Sequence, residues 1–127
     1  MSEKLKEIVN KINVAFTNDD PEGFLSHCTD DIEWTMVGHT TVKGKTAIRE
    51  FLSDSQCEPP VFSVDGMYAG EDSVTCFGGM TMKDKDGTES PYSYCDVYRF
   101  SADKITSLHS FIVKHQTEGE QTGTAAA

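Results

Sequence analysis

The chain has 127 residues, enough for one domain whose single core buries on the order of two-thirds of the unfolded surface. Its 21 acidic residues against 11 basic ones give a net charge of -10 with no local Lys/Arg cluster, so neither nucleic acid nor an anionic membrane is expected as a partner. No apolar run approaches the roughly 18 residues that span a bilayer, and the start MSEKLKEIVNK lacks a signal h-region, so a cytoplasmic location is expected.

Leu5, Ile8, Val9, Ile12, Ala15 and Phe16 recur at helical spacing and predict an amphipathic helix with Ser2 as N-cap. Asp20-Pro21, an N-cap followed by proline at the first helical position, opens a short second helix that carries Phe24, Leu25 and Cys28 inward. DIEWTMVG, residues 31 to 38, alternates as a strand, and Lys43-Gly44 breaks the chain before a third helix over residues 45 to 54. Cys57-Glu58-Pro59-Pro60 ends helical structure.

From Val61 onward four segments have strand character: VFSVDGMYA, SVTCFGGMTMK, ESPYSYCDVYRF and KITSLHSFIVKH. Turn chemistry at Gly70-Glu71-Asp72, Asp86-Gly87 and Ser101-Ala102-Asp103 joins them into an antiparallel meander. The expected fold class is α+β: a cone-shaped, curved antiparallel sheet with three N-terminal helices on its concave face, in one domain over residues 1–115. Residues 116–127 lack apolar pattern and are expected to be a disordered tail.

Cys28, Cys57, Cys76 and Cys95 are scattered without a C-x-x-C pair; reduced, partly buried thiols are expected, and no metal site. No G-x-G-x-x-G, P-loop or H-E-x-x-H occurs, so no cofactor is expected.

YSYCDVYRF, residues 92 to 100, places Tyr92, Tyr94, Asp96, Tyr98 and Phe100 on one face, a carboxylate in the middle of an aromatic row. If that face looks into the hollow, Cys76, Gly78 and Met80 line it from one neighbouring strand and Leu108, Ser110 and Ile112 from the other, with Trp34 and Met36 closing a wall. Burial there raises the pKa of Asp96 above its ordinary value of about 3.9 and suits it to proton transfer; the alternative is an Asp96 that only accepts hydrogen bonds or meets water. Tyr94 and Tyr98 are candidates to position a ligand carbonyl, or simple packing residues. His39, in the loop after the first strand, is a second candidate acid or base. Gly78-Gly79 inside a strand marks a bend, a bulge or room left for a ligand. The opposite face carries Phe77, Cys95, Val97, Arg99, His109 and Phe111, an apolar surface that fits a back-to-back homodimer.

GKTAIREFL (44 to 52) preceded by DIEWTMVG, and CDVYRF followed by a turn and Lys104-Ile105, in the order helix-helix-strand-helix-four strands, resemble the SnoaL-like polyketide cyclase and ketosteroid isomerase branch of the nuclear transport factor 2-like superfamily over about residues 3 to 114. The resemblance implies a cystatin-like cone, an apolar pocket, a homodimer, and at Asp96 an acid that donates a hydrogen bond to a substrate oxyanion. It departs from the ketosteroid isomerases at two positions: Ile12 stands where their oxyanion tyrosine lies, and Thr35 or Met36 where their base aspartate lies. Ketosteroid isomerase activity itself is therefore disfavoured. The expected function is an isomerase or cyclase acting by proton transfer on a small apolar carbonyl compound, with a non-catalytic binder of small hydrophobic ligands or a dimeric interaction module as the alternatives.

Overall fold

A computed structural model describes residues 2–54, 61–83 and 87–115. Cys57-Glu58-Pro59-Pro60, Asp86 of the second turn and the tail 116–127 lie outside the described residues. The chain order is α1 (Ser2–Thr17), α2 (Pro21–Leu25), β1 (Cys28–Met36), β2 (Thr40–Lys43), α3 (Lys45–Asp54), β3 (Val61–Ala69), β4 (Ser73–Lys83), β5 (Glu89–Ser101) and β6 (Lys104–Lys114).

Local chemistry sets the helix ends. At the close of α1, Asp19 adopts a left-handed conformation (φ 55°) and Asp20 N–H bonds back to the Ala15 carbonyl at 2.8 Å, consuming an orphan acceptor. Asp20 then caps α2, its carboxylate accepting from Gly23 N–H at 3.2 Å with Pro21 at the first position. Gly44 (φ 88°) turns the chain into α3, whose bounds match those expected.

Six strands form one sheet in the order β2-β1-β6-β5-β4-β3. β3 to β6 are the antiparallel meander. Two features correct the expectation of a purely antiparallel, five-stranded sheet. β1 lies parallel to β6, and Thr40–Lys43, expected as loop, pairs antiparallel with β1 as a sixth strand. Periodicity marks a strand but not its partner; a parallel pair needs a long crossover, which everything between β1 and β6 supplies. β2 has four residues, three of them exposed, so it carries no burial pattern to see.

The helices cover one face. α1 packs on β3 and β4, α3 on β1 and β2, and α2 bridges α1 and β1. Ile12, Phe24, Ile32, Ile48, Tyr98 and Leu108 are wholly buried between helices and sheet, an α+β layout with a single core. A bulge at Thr106, between the pairs Arg99–Ser107 and Phe100–Ile105, switches the parity of β6 so that Ile105, opposite Phe100, also enters the core.

Gly78 answers the question of the paired glycines. A Cβ there would lie 1.9 Å from the Ser63 carbonyl oxygen and 2.9 Å from Asp65 N, where β3 bulges between Val64 and Gly66. The missing side chain admits the neighbouring backbone, so the reading of Gly78 as room for a ligand is corrected: that space is filled. Gly79 meets only ordinary contact, 3.7 Å to the Tyr92 carbonyl oxygen.

Candidate active site on the concave face

The β5 register aligns Asp96 with Cys76 on β4 and Ser110 on β6, so all three share the helix-covered face with Tyr94 and Tyr98. Cys76, Met80, Tyr94, Tyr98, Leu108 and Ser110 are buried, whereas Trp34, Met36 and Asp96 keep part of their surface accessible. Ile112 is 42% exposed and Phe51 of α3 39%.

Trp34 anchors one wall. Its ring packs against Phe16, Phe24 and Phe51 with centroids 5.9, 5.6 and 6.1 Å away, and its Nε1–H donates to Ser110 Oγ at 2.9 Å. An indole N–H can only donate, so Ser110 Oγ is the acceptor and keeps its own proton for another partner. That partner is Asp96, whose carboxyl lies within hydrogen-bonding reach of Ser110. Asp96, ordinarily near 3.8, is pushed up to about 6 by burial, with the Ser110 hydrogen bond pulling the other way.

Cys76 Sγ accepts from Asn13 Nδ2 at 3.7 Å and shares a hydrogen bond with Tyr94 Oη at 3.8 Å in which either atom can donate. Burial raises the Cys76 thiol, against the opposing pull of Asn13 and Tyr94, so it stays protonated and is not a nucleophile. Burial likewise raises the hydroxyls of Tyr94 and Tyr98. Asn13 was not among the expected residues. It falls at helical spacing between Val9 and Phe16, and a polar side chain inside that apolar stripe is the signal that would have found it.

His39 is exposed in the turn between β1 and β2, its N–H bonded to the Met36 carbonyl at 2.9 Å, and no side-chain hydrogen bond ties its ring to the Asp96 group. Phe77, Cys95, Val97, Arg99, His109 and Phe111 alternate with the concave set and so stand on the outer face, where Tyr68 stacks on Phe77 at 5.8 Å. Among the described residues, Cys28, Cys76 and Cys95 are free thiols. A separate groove at the start of α3 carries Lys45 and Arg49, but these pair with Asp30 and Glu22 and the groove does not reach Asp96. No described helix is long and apolar enough to cross a membrane.

Residues 9–108 match the family model described as the SnoaL-like domain. The chain belongs to this family. No curated protein matches it significantly, but many solved structures share its fold. A nuclear transport factor 2-like protein of unknown function from Cytophaga hutchinsonii ATCC 33406 is 27% identical, with a TM-score of 0.72 over 89% of this chain and 99% of that one. Another from Burkholderia pseudomallei K96243 is 17% identical, with a TM-score of 0.79 over 95% of each chain. TerC, co-crystallised with polyporic acid, is 21% identical, with a TM-score of 0.76 over 84% of this chain and 89% of that one. The SnoaL-like chain thus has the α+β fold of the nuclear transport factor 2-like proteins.

Proposed function

We propose that this SnoaL-like protein is a general-base catalyst that moves a proton on a small, apolar, ring-shaped carbonyl compound held against the concave face. The observation that carries the reading is Asp96: a carboxylate in an apolar surround, tied through Ser110 to Trp34, and poised near pH 6. At about pH 7 a group titrating near 6 is about nine-tenths ionised, which favours the base over the proton-donating acid that the family resemblance implies. The carboxylate takes a proton from the carbon next to the carbonyl; the C–H electron pair moves into an enolate. The protonated Asp96 then returns that proton at a conjugated carbon, which completes an isomerisation; in a cyclase the enolate carbon would instead bond to a second carbonyl carbon of the same molecule, and Asp96 would give the proton to the alkoxide formed as that C=O bond opens. Trp34, Met36, Met80, Leu108 and Ile112 supply the apolar walls, and Ser110 holds the carboxyl group in one orientation.

The second reading is a binding protein without turnover. TerC, a structural neighbour, was co-crystallised with polyporic acid, and ligand binding on this scaffold requires no base.

Hydrogen–deuterium exchange at the α-carbon of 2-tetralone in D2O, followed by proton NMR, separates them. The expected result is exchange above the buffer rate, rising with pH through a midpoint near 6 and lost in Asp96→Asn. Exchange at the buffer rate, or exchange that survives Asp96→Asn, refutes the base.

A further inference from the structure

The concave side chains beside Asp96 are closed in: Cys76, Tyr94, Tyr98, Leu108 and Ser110 are all buried. A ligand reaches them only if a covering helix moves. The three helices are held very differently. α1 buries Leu5, Ile8, Val9, Ile12 and Ala15, and α2 buries Phe24 and Leu25, two of its five residues. Among the described residues of α3 only Ile48 is buried, and Phe51, although partly exposed, meets the Trp34 ring edge-on with centroids 6.1 Å apart. Lifting α3 therefore forfeits the least apolar burial.

Polar contacts supply much of what holds α3. Arg49 forks onto the Glu22 carboxylate of α2, Nε to Oε2 at 2.6 Å and Nη2 to Oε1 at 3.0 Å, and Lys45 Nζ lies 3.6 Å from Asp30 Oδ1 of β1. The Arg49–Glu22 pair is exposed, and such pairs are weak and screened by salt. The start of the helix is pinned, because Gly44, at φ 88°, donates its N–H to the Ile32 carbonyl at 2.7 Å. The part of α3 that carries Phe51 thus rests on Trp34, and the Trp34 indole leads through Ser110 to Asp96.

We infer that α3 is a hinged cover, pivoting at Gly44 and latched by Arg49 on Glu22, whose swing uncovers Trp34 and admits the ligand toward Asp96. The entry role rests on the concave face being the ligand site, as proposed above; the hinge does not.

In the free, full-length protein, solvent exchange of the indole N–H of Trp34, the one tryptophan of the chain, reads the uncovering of that ring. Arg49→Gln and Glu22→Gln are each expected to speed this exchange by about threefold, and the double variant no further, because either change breaks the same pair. Backbone amide exchange at Val9 and Ile12 of α1 is expected to stay at the wild-type rate, which separates a local opening from a loss of global stability. With 2-tetralone, stopped-flow Trp34 fluorescence is expected to show association and dissociation both about threefold faster in Arg49→Gln and Kd unchanged, since a cover alters the path and not the bound state. Indole exchange unchanged in both variants, or quickened together with the α1 amides, overturns the hinge. Quicker indole exchange with wild-type association and dissociation rates overturns α3 as the way in. Quicker indole exchange in both variants with no binding of 2-tetralone, even to the wild type, would sink the concave face as the site for such a ligand and leave the hinged cover standing.

Discussion

Replacing Asp96 by asparagine should make the protein more stable, and only where the carboxyl group is ionised. Holding this carboxyl on an apolar face moves its titration from 3.8 to about 6. At about pH 7 that difference corresponds to about 3 kcal/mol of stability forgone, since one pH unit is worth about 1.4 kcal/mol. Between about pH 4 and pH 6 the native state binds the proton more tightly than the unfolded chain does, so stability falls as pH rises through this window and the penalty is constant above it. Asparagine has the same shape, carries no charge and can still accept from Ser110. Urea unfolding at about pH 7 is expected to show a gain approaching 3 kcal/mol for Asp96→Asn, falling to about half of that at about pH 5. Partial access of water to Asp96 makes the larger figure an upper bound. A gain independent of pH, or a loss of stability at about pH 7, would refute the idea that burial raises the titration of this group.

Three other outcomes are expected. Ser110→Ala removes the hydrogen bond that holds the Asp96 pKa down, so the carboxyl midpoint followed by carbon NMR should move further above 6. Gly78→Ala forces a methyl group into the Ser63 carbonyl and should cost about 2 kcal/mol or more in thermal or urea unfolding, whereas Gly79→Ala, with 3.7 Å of room, should be nearly silent. Sedimentation equilibrium should show a dimer that Phe111→Glu dissociates, because Phe111, 44% exposed, stands with Phe77 and Cys95 in one cross-strand row of the outer face; a wild-type monomer would remove that face as an association surface.

The sequence by itself determined the parts whose physics is local. Period-two alternation in YSYCDVYRF put Asp96 among Tyr94 and Tyr98, and the same period on β4 and β6 set Cys76, Met80, Leu108 and Ser110 on that face. Asp20-Pro21 opened α2 because capping and the fixed φ of proline act within one turn. Tertiary structure decided the rest, because contact across the chain leaves no local trace. The parallel pairing of β1 with β6 brings Trp34 over Ser110, 76 positions away, and so links the indole to Asp96. The bulge in β3 gave Gly78 its reason, the fold of α1 over β4 laid Asn13 on Cys76, and packing left the Tyr98 hydroxyl alone in the core. A residue's neighbours along the chain say which way its side chain points; only the folded chain says what it meets there.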